Sequence, residues 1–201
     1  MTTALAFFSA LLLTTSTQPV AAARAANVEA VPRPLQLSVS TLWMPAGIVR
    51  SNASGENSGG PATTAFGIAP ALEGRISERL TLGLVVPVLF NVNASSIVQD
   101  ASKEIDALVR LAIWFPVGPA LRLFAFAAPG WYVIVSPGVR TPSGFIAAVG
   151  GGATGDLGET WFVSGELGLQ VGFSVRDSDP GTGYPKSTGY LRTGLGAGVR
   201  F

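Results

Sequence analysis

Apolar and polar residues alternate one by one along this chain in eight segments. The clearest segment puts seven apolar side chains on successive even positions: Leu80, Leu82, Leu84, Val86, Val88, Phe90 and Val92. The last segment runs to the end of the chain, with an apolar face of Leu191, Thr193, Leu195, Ala197, Val199 and Phe201. Because successive side chains of a strand point to opposite faces, this pattern predicts β-strands with one apolar face.

The connections between these segments alternate in length. Short turns are predicted at 76–79, 116–120 and 156–160, and longer polar or Gly/Pro-rich loops at 45–60, 93–102, 136–144 and 176–188. Short turns at one end and long loops at the other are typical of membrane barrels. The sequence therefore predicts an all-β fold, an eight-stranded antiparallel up-and-down transmembrane β-barrel.

The distribution of charge distinguishes a membrane barrel from a soluble one. Only 12% of the residues are charged and 48% are hydrophobic, which is too few charges for a soluble surface. One face of the segments is almost free of charge, while the other carries single charges among Gly, Ser and aromatic residues. We expect the apolar face to meet lipid. The alternatives are a soluble periplasmic lipid-binding barrel and a β-sandwich, which turn their apolar faces inward.

The pattern, the loop asymmetry and the terminal Phe201 resemble the small eight-stranded bacterial outer-membrane barrels, such as the transmembrane domain of outer-membrane protein A. The resemblance covers residues 34–201. It implies a protein of the bacterial outer membrane, with outer-membrane lipid and the barrel assembly machinery as its partners. It also implies that Phe201 is the assembly signal. We expect the barrel to be a monomer.

The N-terminus has the features of an export signal. A short apolar core runs over residues 4–13, and small residues follow at 21–23. We expect a signal peptide over 1–23, cleaved near Ala22 or Ala23, and a periplasmic lead-in over 24–33. No Lys or Arg precedes the apolar core, so a buried N-terminal helix is the alternative.

Aromatic residues recur near both ends of the predicted strands. Those at the outer ends are Trp43, Phe90 and Trp131, and those at the inner ends are Phe115, Trp161 and Phe201. Aromatic side chains collect at the two lipid–water interfaces of membrane barrels. We therefore predict that these residues form two interfacial girdles.

Common enzyme chemistry is missing from the sequence. The chain has no His and no Cys, which removes the usual nucleophile-and-base pairs. A Ser–Lys pair would have to use Lys103 or Lys186, both at loop edges. The net charge of +1 gives no basic surface for nucleic acid. We expect no enzymatic activity, no cofactor and no nucleic-acid partner.

Two short motifs resemble ligand-binding sequences, but both are better explained as structural features. Residues 150–155 match the dinucleotide fingerprint GxGxxG, but a strand follows where that fingerprint needs a helix. Asp177 and Asp179 resemble half of a calcium loop, without its closing Glu. We interpret the first as strand glycines and the second as a surface turn, so no metal site is expected.

The inward faces of the predicted strands carry single charges: Glu73, Asp106, Arg110, Arg122, Glu166 and Arg192. An eight-stranded barrel is only wide enough for side chains to fill, so buried charges there must pair. Our hypothesis is a network across the lumen that closes it to bulk flow, made by Asp106, Arg110, Glu166 and Arg192. The alternative is separate, water-solvated charges at the two mouths. Four inward aromatics narrow the lumen further: Trp114, Phe124, Phe126 and Tyr132.

These observations predict a non-enzymatic integral outer-membrane protein with a structural or surface-interaction role through four external loops. Its loop partners would be surface or envelope proteins. The alternative function is a narrow channel, or a pore opening laterally between strands, for small or apolar solutes. A soluble periplasmic lipid carrier is the more distant alternative.

Overall fold

The computed structural model describes residues 35–51, 58–62, 64–92, 102–135, 143–176 and 185–201. They form ten strands: β1 (Leu35–Ser51), β2 (Ser58–Pro61), β3 (Ala65–Ser77), β4 (Leu80–Val85), β5 (Val88–Val92), β6 (Ser102–Pro116), β7 (Leu121–Val135), β8 (Ser143–Leu157), β9 (Trp161–Arg176) and β10 (Pro185–Arg200). Within this part of the chain, no helix is long and apolar enough to cross a membrane. The predicted signal peptide and lead-in lie outside the described residues.

The strands close into a ring in which every pair of neighbours is antiparallel. β1 pairs with β10 on one side and with β3 on the other. β2 and β3 lie end to end and together occupy one strand position of the ring. β4 and β5 together occupy another position, where both pair with β6. The ten strands therefore build eight barrel positions, as the alternating pattern predicts.

The break between β4 and β5 lies at a proline. Pro87 has no N–H to donate to a neighbouring strand, so the regular ladder stops there. The remaining backbone groups are still bonded: the N–H of Val86 donates to the carbonyl of Pro70 at 3.0 Å, and the carbonyl of Pro87 accepts from the N–H of Asp106 at 2.9 Å. The barrel wall is thus continuous across the break.

The two ends of the barrel differ. Short turns at 78–79, 117–120 and 158–160 lie at the end where the described chain starts and stops, which we call the turn end. There the N–H of Phe201 donates to the carbonyl of Leu35 at 3.1 Å, and the N–H of Leu35 donates back at 3.2 Å. At the opposite end, the loop end, the strands lead to 52–57, 93–101, 136–142 and 177–184, which lie outside the described residues.

The apolar faces lie on the outside of the barrel. On β6, for example, the outward residues are between 40% and 51% exposed: Ile105, Val109, Leu111, Ile113 and Phe115. The alternate residues Asp106, Leu108 and Ala112 are fully buried inside. A soluble lipid-binding barrel would have the reverse arrangement, so this fold contradicts that alternative.

The strands reach further toward the loop end than the sequence predicts. The loop predicted at 45–60 contains the second half of β1 and most of β2, and the loop predicted at 176–188 contains the start of β10. A bulge between Trp43 and Ala46 interrupts the alternation, but backbone pairing resumes beyond it, as between Ile48 and Gly189. Hydrogen bonding continues here after the apolar pattern fades.

The predicted orientation of Val92 is wrong. Its side chain is 2% exposed and lies inside the barrel, although the even positions before it face outward. A bulge between Phe90 and Val92 shifts the register, with Asn91 in the left-handed region at φ 61°. Asn tolerates this conformation better than most residues. The Asn91 side chain also donates a hydrogen bond to the carbonyl of Thr64 at 3.0 Å.

Candidate functional site: the charged lumen

The period of two that turns apolar residues outward also places charged residues inside the barrel. β3, β6, β9 and β10 each carry inward charges, and these meet across the lumen. Their side chains are largely removed from solvent, with Glu73 at 4%, Glu104 at 3%, Asp106 at 0% and Arg192 at 2% exposure. Ionised groups buried to this degree must be paired to be tolerated.

Arg110 lies at the centre of this network. Its Nη2 is 3.3 Å from Oε2 of Glu166, and its Nε is 3.6 Å from Oε1 of Glu73. Two aromatic rings from β7 face the guanidinium, whose carbon lies 4.4 Å from the centroid of Phe126 and 5.1 Å from that of Phe124. Ion pairing and cation–π contacts together hold this side chain across the lumen.

Glu166 joins Arg110 to a second guanidinium. Nη2 of Arg192 donates to Oε1 of Glu166 at 2.6 Å, so the two oxygens of one carboxylate serve two arginines. Arg192 also donates from Nη1 to Oε1 of Gln170 at 3.3 Å and lies 5.6 Å from the ring of Phe126. The contacts extend from β3 through β6 and β9 to β10, which spans the barrel.

Toward the loop end, Gln170 links the network to two carboxyl groups. Its amide nitrogen donates to Oδ2 of Asp106 at 3.3 Å and to Oε1 of Glu104 at 3.5 Å. All three side chains are buried. Gln170 accepts from Arg192 with its oxygen and donates to the acids with its nitrogen, so it connects groups that do not touch directly.

Toward the turn end, a second group of charges surrounds Asp156. One oxygen of Asp156 accepts from Nη2 of Arg122 at 3.0 Å, and the other accepts from Nη1 of Arg200. The guanidinium carbon of Arg200 lies 4.4 Å from the ring centroid of Phe162. This cluster sits where the barrel opens, and Arg122 keeps 31% of its side chain exposed.

Glycines on β8 make room for the lumen aromatics. A Cβ atom on Gly152 would lie 2.6 Å from Cζ of Phe124 and 2.1 Å from the carbonyl oxygen of Gly165. A Cβ on Gly150 would lie 3.0 Å from Cε1 of Phe126. The GxGxxG match therefore lies within a strand, where its glycines allow close packing.

The structure brings the four residues of the predicted network together in two ways. Arg110, Glu166 and Arg192 contact one another directly, whereas Asp106 joins them only through Gln170. The sequence hypothesis left out four members: Gln36, which donates to Glu73, then Glu73 itself, Glu104 and Gln170. Glu73 was already placed on the inward face from the sequence, and the inward parity of the other three could have found them as well.

Among the described residues, no group of three or more His, Cys, Asp or Glu side chains could hold a metal ion. Asp177 and Asp179, the half-match to a calcium loop, lie outside the described residues.

The predicted girdle residues lie on the outer surface. Exposure is 55% for Trp43, 48% for Phe115, 38% for Trp131, 59% for Trp161 and 55% for Phe201, while Phe90 is half-buried. Toward the loop end, strand pairing places them in two rows that the sequence reasoning missed, Trp43–Phe66–Phe90 and Trp131–Phe145–Phe173. Rings touch within both rows, at centroid distances of 5.8 Å for Phe66–Phe90 and 4.8 Å for Trp131–Phe145.

Comparison of the sequence with known proteins gives no relative. No protein-family model matches the chain, and no curated protein matches it either.

Comparison of the structure with solved structures does give matches. Neisserial surface protein A superimposes with a TM-score of 0.54 at 11% identity, covering 83% of this chain and 97% of that one. Ail, the attachment invasion locus protein of Yersinia pestis, gives a TM-score of 0.46 at 14% identity, covering 83% of this chain and 98% of that one. Identities this low bear on the fold alone. With its closed eight-membered ring, outward apolar faces and short turns at one end, this chain has the fold of a small outer-membrane β-barrel.

Proposed function

We propose that this chain is a non-enzymatic integral protein of the bacterial outer membrane, in which the barrel is a closed scaffold. Its role is structural or surface-binding and is carried by the four connections at the loop end. Surface or envelope proteins are the partners we expect there. The observation that carries this proposal is the filled lumen, where ion-paired and aromatic side chains cross the barrel at its centre.

The outer surface supports a position in lipid. Apolar side chains cover it, and the aromatic rows defined above give it a boundary toward the loop end. A membrane strand needs about 10 residues to cross the hydrocarbon. β6 to β10 have 15 or 16 residues each, so they extend beyond the bilayer and support the loop-end connections outside it.

The absence of catalysis is inferred from the residues available. The sequence contains no His and no Cys. The buried acids at the centre are engaged by arginines or by Gln170, and Lys103 lies on the exposed outer face. A nucleophile activated by a neighbouring base has no candidate among these groups.

The test of a closed scaffold is single-channel conductance in planar bilayers. We expect wild-type protein to be silent and Arg110→Ala to show discrete openings, because that change removes the side chain that crosses the lumen. Lys103→Ala is the matched control, since Lys103 lies on the same strand but faces outward, and it should stay silent. Gel mobility of unboiled samples would confirm that each variant is folded.

Steady conductance by the wild type would refute the closed scaffold and favour the narrow channel. A silent Arg110→Ala would also count against it, because the lumen would then be closed by something other than this network.

Orientation is tested separately by protease treatment of intact cells. Cuts are expected within 52–57, 93–101, 136–142 or 177–184, with none at the turns 78–79 and 158–160. Cleavage confined to those turns would place the turn end outside the cell and reverse the proposed topology.

A further inference from the structure

A cavity of about 380 Å³ opens at the turn end, below the central charge network. Its polar wall is made by Gln36, Arg75, Arg79, Arg122 and Arg200, and its apolar wall includes Trp114. The cavity is large enough for a small organic molecule or a lipid headgroup.

The charges around this cavity are mostly positive. Among the described residues, four arginines line it with two carboxylates, Glu73 and Glu78, and Asp156 pairs with Arg122 and Arg200 behind them. Glu73 is already engaged by Arg110 and Gln36.

Arg75 and Arg79 are the least compensated of these cations. Both are exposed at the mouth, and within the described residues neither guanidinium has a carboxylate within 4.0 Å. Arg122 and Arg200 lie close enough to repel the charge of Arg75, and Glu78 attracts it. Positive groups held near each other in this way are stabilised by an anion bound between them.

We propose that this cavity is a binding site for a phosphate group with two negative charges, recognised by Arg75 and Arg79 with Arg122 and Arg200 behind them. The planar guanidinium fork matches phosphate oxygens and donates two hydrogen bonds at once. Asp156 fixes the direction of Arg122 and Arg200, so part of the site is already ordered. The phosphate could belong to a soluble compound or to a lipid headgroup, because Leu35, Pro116 and Pro119 form an apolar rim beside it.

The experiment titrates the full chain, folded in zwitterionic detergent, with inorganic pyrophosphate in a calorimeter at constant ionic strength. A second arm titrates the same detergent-folded protein with mixed micelles of that detergent and phosphatidate, whose headgroup is a phosphate monoester, and compares them with micelles that contain phosphatidylcholine instead. Binding of pyrophosphate in detergent assigns a soluble ligand, and binding that requires phosphatidate assigns a headgroup. Each result supports the site.

The variant Arg75→Gln/Arg79→Gln tests the assignment of residues. We expect affinity to fall about tenfold for each guanidinium removed, since each loses a charge-assisted hydrogen bond. Lys103→Gln removes an exposed cation elsewhere and should bind like the wild type. Both arginines are at the solvent-exposed mouth, so the double variant should fold, as gel mobility will verify.

Absence of binding in both arms would overturn the proposal. So would equal loss of affinity in the double variant and in Lys103→Gln, or displacement of pyrophosphate by an equal ionic strength of chloride, because those results describe general attraction of charge. None of these three results bears on whether the lumen conducts, so the closed scaffold is tested independently.

Discussion

Replacing Glu166 by Gln is the sharpest test of whether the lumen charges form one network. The substitution keeps the size of the side chain and removes its charge. Glu166 pairs with Arg192 at 2.6 Å and with Arg110 at 3.3 Å, and its side chain is 7% exposed. Two guanidinium groups therefore lose their shared counter-charge in a site with little access to water.

The size of the effect follows from these distances. Two unit charges about 4 Å apart attract by about 4 kcal/mol at an effective dielectric constant of about 20, so the two pairs sum to roughly 8 kcal/mol before solvation is counted. An amide oxygen still accepts a hydrogen bond, and Glu73 remains 3.6 Å from Arg110, so part of this is retained. We expect Glu166→Gln to lower the free energy of unfolding by about 3–5 kcal/mol, the usual cost of leaving buried charges unpaired.

The assay is urea unfolding of protein folded in lipid vesicles, followed by tryptophan fluorescence and by gel mobility of unboiled samples. Glu78→Gln is the control, because Glu78 is an exposed carboxylate in a turn and should change stability by no more than about 0.5 kcal/mol. If Glu166→Gln costs no more than this control, the lumen charges are separately hydrated. The reasoning for a closed network would then fail.

Three further predictions address the outer surface, the packing and the assembly of the barrel. Leu111→Arg should lower the free energy of unfolding in vesicles by about 2–4 kcal/mol, and Phe115→Arg by no more than about 1 kcal/mol. The difference is expected because the cost of a charged side chain falls from the bilayer midplane toward the interface. Equal effects in urea unfolding would argue against the lipid position assigned to β6. Gly152→Ala should lower the yield of folded barrel on unboiled gels, because its Cβ would lie 2.1 Å from a backbone oxygen. Gly155→Ala on the same strand is the control and should fold normally, since the nearest atom to its Cβ would be 3.7 Å away. Similar yields for the two variants would contradict the packing argument. The resemblance to outer-membrane barrels predicts that Phe201→Ala lowers the amount assembled in cells while refolding in detergent is retained; normal assembly in cells would show that Phe201 is not the signal.

The barrel fold and the inward or outward direction of its side chains could be predicted from sequence, because strand periodicity requires only local information. On β6, the alternation of Ile105, Val109 and Ile113 with Asp106 and Arg110 assigns each side chain to lipid or lumen without knowledge of any other strand. The same rule places Glu104 inside, two positions before Asp106. It was left out because the predicted strand began only at Ile105.

Bulges and the individual contacts across the lumen could not be predicted because they depend on pairing between strands. The left-handed Asn91 turns Val92 inward, and no pattern of apolar residues marks that bulge. Gln170 could be placed inside, but its position between Arg192 and Asp106 follows from the stagger of β6, β9 and β10 around the ring. Sequence parity gives the direction of a side chain and leaves its depth undetermined.

A buried charge network is an expensive way to fill a narrow barrel, since well-packed apolar side chains often stabilise a protein at least as well. The advantage of the charge network here is that it helps to specify the register in which the strands pair. A slip of one residue along β6 would exchange the two faces of the strand and put Asp106 and Arg110 into lipid. Each Arg moved to the bilayer midplane costs about 2–4 kcal/mol. If the lumen were apolar, both faces of each strand would suit lipid and this penalty would vanish. The charges at the centre therefore favour the register in which Asp106 and Arg110 face the lumen.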